Sequence, residues 1–152
     1  MTLTTKTRRI AAVAIAVAAL PIAAVAGAGS AQAHTTSGCT VEPLKPVYAG
    51  TNSAGVKLID YRISVKCSSG RYAHITQKRY EEDGWLNPDD HLGTTTFTAS
   101  GTTTLHNKRT LVDTELGKEE VYQTIRFHVH SSNGVVSGNT GWHKSAVLSI
   151  YN

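Results

Sequence analysis

Residues 121–130 read VYQTIRFHVH, and their side chains alternate without interruption between two chemical characters. One set is mostly apolar and occupies the odd positions Val121, Gln123, Ile125, Phe127 and Val129. The other set is polar or amphipathic and occupies the even positions Tyr122, Thr124, Arg126, His128 and His130. Because successive side chains of a β-strand point to opposite faces of a sheet, this stretch predicts a strand with one face in the core and one in water.

The same period of two recurs along the chain. It is clearest over residues 59–67, where one face would carry Ile59, Tyr61, Ile63, Val65 and Cys67. Further strands are predicted over 71–82, 92–99, 102–112 and 142–151, with turns such as Ser100-Gly101 and Asn133-Gly134 between them. About seven short strands without an amphipathic helix predict an all-β fold, an antiparallel β-sandwich that is immunoglobulin- or fibronectin-like in outline. The Cys…Trp…Cys spacing of true immunoglobulin domains is missing.

The two cysteines, Cys39 and Cys67, are placed symmetrically about a turn. Their midpoint is residue 53, inside the turn-like segment 51–55, which reads TNSAG. Residues equidistant from a hairpin turn face each other across an antiparallel ladder, so we expect Cys39 and Cys67 to form a disulfide. The alternative is a redox-active pair, which lacks the CxxC spacing that lowers a thiol pKa.

The first 33 residues have the features of an export signal. Lys6, Arg8 and Arg9 give a cationic start, residues 10–28 are almost purely apolar, and residues 31–33 read AQA, the small-x-small pattern of a signal peptidase site. We therefore expect Sec-type export, cleavage after Ala33, and a secreted, extracellular protein. Residues 34–152 would form a single domain.

Removal of this segment changes the charge of the chain. The full sequence has 15 Lys and Arg against 11 Asp and Glu, but three of the basic residues and none of the acidic ones precede residue 34. The remainder carries a formal charge of +1, which argues against nucleic acid as a partner. After cleavage no membrane association is expected, and we predict a monomer.

An acidic loop follows the predicted third strand. Residues 81–90 read EEDGWLNPDD and contain five carboxylates and one asparagine. Hard cations such as Ca²⁺ prefer oxygen ligands of this kind, so Asp83, Asp89 and Asp90 are candidate calcium ligands, although the spacing is not that of an EF-hand. The alternatives are a solvated loop or, with two carboxylates paired, a glycosidase site.

Histidines suggest two further metal sites. His128 and His130 leave the same face of one strand and would bind a transition metal if a third ligand, His106 or His143, came from a neighbouring strand. Cleavage after Ala33 would make His34 the first residue, offering an amine and an imidazole to copper. The alternative is that these histidines are ordinary polar residues.

Trp85 and Trp142 are candidate sugar-stacking residues, because exposed aromatic rings provide flat surfaces for sugar rings. The alternative is that they close the ends of the core. The sequence has no G-x-S-x-G, H-E-x-x-H or P-loop motif, and no cofactor is predicted. We therefore expect a non-catalytic interaction or structural module, inhibitor- or toxin-like in one form, whose partner is an extracellular protein or a polysaccharide. The alternatives are a carbohydrate- or metal-binding domain and, third, an enzyme.

Overall fold

The computed structural model describes residues 32–83, 87–111 and 118–151. Within these ranges the chain forms eleven β-strands, all paired antiparallel in two sheets. In chain order they are β1 His34–Thr36, β2 Cys39–Pro43, β3 Val47–Thr51, β4 Lys57–Cys67, β5 Arg71–Glu81, β6 Asp90–Ser100, β7 Thr102–Leu111, β8 Lys118–Ser131, β9 Gly134–Val135, β10 His143–Lys144 and β11 Leu148–Tyr151.

The first sheet is built around β4. Along one edge, β2 pairs with residues 63–67 of β4 and β3 pairs with residues 57–60, while β7 pairs along the whole opposite edge. β1 extends the sheet beyond β2 through a tight turn at Ser37-Gly38. Both turn residues have positive φ values, 47° and 87°, as the mirror-image turns of two-residue hairpins require.

The second sheet is built around β8. β5 lies along one edge of β8 and carries β6 on its far side. Along the other edge of β8 lie three short strands in succession: β9 opposite residues 130–131, β10 opposite 124–125 and β11 opposite 118–121.

The core lies between the two sheets. Apolar side chains from both sheets form its largest cluster, which includes Val41 and Ile63 from the first sheet and Ile75, Ile125 and Phe127 from the second. All five are at most 1% exposed. Burying a side chain of this size contributes about 1.5–3 kcal/mol to the stability of the folded state. The apolar residues that alternate along the strands are therefore the main source of the sandwich-like packing.

The predicted last strand, 142–151, is wrong as a continuous element. Three hydroxyls along this edge accept hydrogen bonds from backbone N–H groups of β8, where a continuous strand would supply carbonyls. Ser137 Oγ accepts from Val129, Thr140 Oγ1 from Phe127 and Ser145 Oγ from Gln123. Ser145 lies between β10 and β11, whereas Ser137 and Thr140 lie in the preceding segment between β9 and β10. These side-chain hydrogen bonds satisfy backbone N–H groups of β8 where the neighbouring chain forms no strand, so this edge consists of short strands only.

The predicted first hairpin needs a similar refinement. β2 has the symmetric register, with Cys39 opposite Cys67, but the strand is interrupted at residues 44–46 and continues as β3 with a shifted register. The immunoglobulin-like outline stays a prediction.

The predicted export signal lies almost entirely outside the described residues. Of its positions, Gln32 and Ala33 are described, and both are exposed. In the described part of the chain, no helix is long and apolar enough to cross a membrane.

Candidate functional site

The predicted disulfide is confirmed. Cys39 and Cys67 are bonded and lie directly opposite each other in the β2–β4 ladder. Cys39 is fully buried and Cys67 is 8% exposed, so the bond belongs to the core. Its position supports a structural role.

The outer face of the second sheet has the densest set of chemically distinctive side chains. We call this surface the outer face and define it by the even-numbered residues of three adjacent strands. They are Tyr72, His74, Thr76, Lys78 and Tyr80 of β5, Tyr122, Thr124, Arg126, His128 and His130 of β8, and Thr94, Thr96 and Thr98 of β6. Since β5 pairs with both other strands in register, these residues form rows across the sheet.

Four rings meet at one end of the outer face. The ring centroid of His74 lies 4.5 Å from that of His130 and 5.3 Å from that of His128, and the latter two are 4.8 Å apart. Tyr72 stacks on His130 at 5.4 Å. The cluster confirms that His128 and His130 share a face and adds His74 from the neighbouring strand.

Hydrogen bonds orient two of these imidazoles. His74 Nδ1 lies 2.9 Å from Thr98 Oγ1, and His128 Nδ1 lies 3.0 Å from Asn139 Oδ1. An open depression of about 370 Å³ lies here, and Thr76 and Thr96 also line it. Hydroxyls and imidazoles both donate and accept hydrogen bonds, which suits a ligand rich in hydroxyl groups.

Burial and the neighbouring His74 and His128 lower the pKa of His130. His130 Nε2 is buried without a hydrogen-bond partner among the described residues. A neutral imidazole is therefore favoured at this position near neutral pH.

Trp142 contacts two cations of the outer face. The guanidinium carbon of Arg126 is 4.9 Å from the ring centroid of Trp142, and Lys78 Nζ is 4.7 Å from it. Trp142 nevertheless keeps 40% of its surface exposed. Arg126 is paired with Thr76, which lines the depression, so aromatic surface and positive charge adjoin the hydroxyl-rich region.

Aromatic rings also occupy the opposite end of the outer face. Tyr80 and Tyr122 stack with centroids 5.1 Å apart and an interplanar angle of 14°. Lys144 Nζ lies 3.6 Å from the Tyr122 centroid and pairs with Glu82 Oε1 at 2.7 Å. Burial, followed by a hydrogen bond to Asp89, raises the pKa of Tyr122, so its hydroxyl stays protonated and donates to that carboxylate.

The structure separates the other predicted histidines from this cluster. His106 lies in the first sheet, where its Nδ1 is 2.6 Å from Oδ2 of the buried Asp60. His143 stacks on His34 with centroids 4.5 Å apart. The expectation that His106 or His143 joins His128 and His130 is therefore wrong, because neither lies in the rows of the outer face.

The acidic loop is described only in part. Asp89 accepts the hydrogen bond from Tyr122, Asp90 opens β6 and is exposed, and Asp83 is half-buried. Trp85 lies outside the described residues. Among residues 32–83, 87–111 and 118–151, no group of three His, Cys, Asp or Glu side chains is arranged to hold a metal ion. The calcium site and metal binding by His34, His128 and His130 stay predictions.

Sequence reasoning overlooked most members of the outer face, including its third histidine and both cations that contact Trp142. His74 and Lys78 of β5 and Arg126 of β8 were not selected, although the alternation of residues 71–82 placed the two β5 residues on one face. What joins them to the β8 residues is the β5–β8 register, which pairs His74 with His128 and Thr76 with Arg126.

A scan against protein-family models finds no match to the chain, and a search of curated proteins finds no relative. Function is therefore inferred from the chemistry of the outer face.

Proposed function

We propose that the protein is an exported, non-catalytic binding module that holds an acidic polysaccharide on its outer face. The observation that carries the proposal is the arrangement around Trp142. An exposed aromatic ring lies against two cations of the outer face, and a depression lined by hydroxyls and imidazoles lies on the same face, where Thr76 of its lining is paired with Arg126.

Each part of this surface suits one feature of such a polymer. Trp142 offers apolar area for the faces of sugar rings, and the threonines and histidines offer hydrogen bonds to hydroxyl groups. Lys78 and Arg126 form no ion pair with a carboxylate of the described residues. Their charge is therefore available to the carboxylates of a polyanionic ligand.

Docking on a protein has less support. The exposed large apolar side chains among the described residues are Tyr48, Val135, Val136, Trp142 and Tyr151. Tyr48 belongs to the first sheet, whereas Val135 and Tyr151 pair with residues 130 and 118 of β8. Twelve residues along a strand correspond to about 40 Å, so these side chains do not make one contiguous apolar patch.

Affinity electrophoresis tests the proposal. Protein secreted from the full-length chain is run through gels containing polygalacturonate, a polymer of uronic acids, or dextran, a neutral polymer. We expect retardation by polygalacturonate and a weakening of this effect as salt screens the charges.

Two variants and a control locate the surface. Trp142→Ala and Arg126→Gln should each weaken binding about tenfold, the factor that corresponds to a lost contact of about 1.4 kcal/mol. Tyr48→Ala, which removes an exposed aromatic ring from the other sheet, should leave binding unchanged. Equal retardation by both polymers, or by wild type and Trp142→Ala, would contradict the proposal. Retardation by neither polymer would leave protein docking as the better hypothesis.

A further inference from the structure

His34 and His143 meet at an edge where the two sheets approach each other. His34 opens β1 in the first sheet, and His143 opens β10 in the second. Their rings stack with centroids 4.5 Å apart and an interplanar angle of 27°. The buried Phe127 ring also contacts His34, edge to face, with centroids 6.0 Å apart. Two imidazoles that are 109 positions apart in sequence are thus held together against the core.

His143 also has an unused ligand atom. Its Nε2 is buried and has no hydrogen-bond partner among the described residues. Buried ring nitrogens normally have partners, so an unpartnered one invites an explanation such as an absent ion. Burial and the neighbouring His34 lower the pKa of His143, which favours the neutral imidazole that binds metals.

We propose that export creates a copper(II) site in which the mature chain binds the ion through the α-amine and imidazole of His34 and the imidazole of His143. The proposal rests on cleavage after Ala33, which is also part of the proposed function, but it is independent of the polysaccharide. It requires two side chains and one backbone amine, and is therefore compatible with the absence of a three-side-chain cluster in the described residues.

The chemistry of the three nitrogens selects the metal. The α-amine and Nδ1 of an N-terminal histidine close a six-membered chelate ring on one ion, and His143 supplies a third nitrogen from another strand. Tetragonal sites with nitrogen ligands suit Cu(II), which also binds most tightly among the divalent first-row ions. The amine must lose its proton, whose pKa in model peptides is about 8, so binding releases protons and strengthens as pH rises. The two rings are stacked face to face, so binding one ion requires both side chains to rotate.

The experiment uses protein secreted from the full-length chain. Mass spectrometry of the purified protein first establishes its N-terminal residue. Calorimetric titration with copper sulfate should then give one Cu(II) per chain, and electron paramagnetic resonance should show coupling to three nitrogen nuclei. A first residue other than His34 would overturn the proposal.

Variants distinguish a copper site formed by the fold from copper binding by the N-terminal residue without His143. His143→Ala should weaken Cu(II) binding by more than about tenfold, the lower bound for loss of even an outer-shell partner, and should remove one nitrogen coupling. His34→Ala should weaken binding further. His91→Ala, which removes an exposed histidine of β6, is the matched control and should bind as wild type does.

Three results would overturn the site. Unchanged affinity in His143→Ala would show that the chain end binds copper without the fold, and affinity lost in His128→Ala but kept in His34→Ala would place the metal on the outer face. No binding by the wild type with His34 first would also reject it. Trp142→Ala should leave copper binding intact, so failure of this proposal and failure of the polysaccharide proposal are distinguishable.

Discussion

At the residue scale, two buried glutamines link the sheets through their amide groups. Gln123 of β8 donates from Nε2 to the carbonyl oxygens of Leu44, between β2 and β3, and of Arg62 in β4, at 2.6 and 2.7 Å. Gln77 of β5 donates from Nε2 to Gln123 Oε1 at 2.5 Å and accepts from Asn107 Nδ2. Both glutamines are fully buried, so their polar atoms depend on one another for hydrogen bonds.

Replacing Gln123 by leucine should therefore be costly. The variant removes the Oε1 acceptor of Gln77 Nε2 and the side-chain donor to Leu44 O and Arg62 O, of which Arg62 O keeps the backbone N–H of Leu44. We expect the free energy of unfolding to fall by about 2–4 kcal/mol. Urea unfolding followed by tryptophan fluorescence measures the change. Thr124→Val, at the next position on the outer face, should change stability by less than about 0.5 kcal/mol. Similar values for the two variants would show that the amide network is dispensable.

At the element scale, β4 organises the first sheet because it pairs with β2, β3 and β7 at once. The registers of β2, β3 and β7 are therefore all set by pairing with β4. The Cys39–Cys67 bond closes the segment that contains β2, β3 and β4, with a sequence separation of 28 residues. A covalent link of this span acts chiefly by restricting the unfolded chain.

Removal of the disulfide has a calculable effect. The double variant Cys39→Ser, Cys67→Ser should lower the free energy of unfolding by about 3–4 kcal/mol on the chain-entropy model. Urea unfolding of the variant and of the reduced wild type should give similar losses, since both lack the bond. A loss below about 1 kcal/mol in both would contradict a stapling role.

At the scale of the whole molecule, stability should depend on pH through histidines that the fold keeps neutral. The pKa of His143 is lowered by burial and by His34, and that of His130 by burial and by two neighbouring histidines. Unfolded histidines take up protons near pH 6.5, and these two take them up at lower pH when folded. Between the folded and the unfolded pKa values the unfolded state binds more protons than the folded state. The free energy of unfolding is therefore highest with respect to these two histidines above about pH 6.5 and falls as pH drops below it.

Urea unfolding at pH 7.5 and pH 5.5, at constant ionic strength, measures this dependence. We expect the wild type to be less stable at pH 5.5, and His143→Gln to lose less stability between the two conditions because one neutral histidine is gone. His91→Gln is the control and should keep the wild-type difference. An identical pH dependence in His143→Gln and wild type would refute the role of this residue.

Local pattern was sufficient for much of the fold. The period of two in residues 59–67 and 121–130 reflects a requirement at each residue, since one face must leave water and the other must not. Strand positions, their buried faces and the Cys39–Cys67 bond were therefore predictable. The end of the chain was not, because the hydroxyls of Ser137, Thr140 and Ser145 replace strand pairing only where β8 presents its N–H groups to them.

Both candidate sites depend on contacts that alternation does not encode. The outer face exists because β5 and β8, about fifty residues apart, adopt one register that sets His74 beside His128 and Thr76 beside Arg126. His34 meets His143 because β1 and β10 lie at the edges of different sheets and the fold brings these two edges together. Local sequence determined which residues face the solvent. Which of these residues meet was decided by the packing energy of the whole core, because that energy is gained only when the chain is folded and sets the register of the strands.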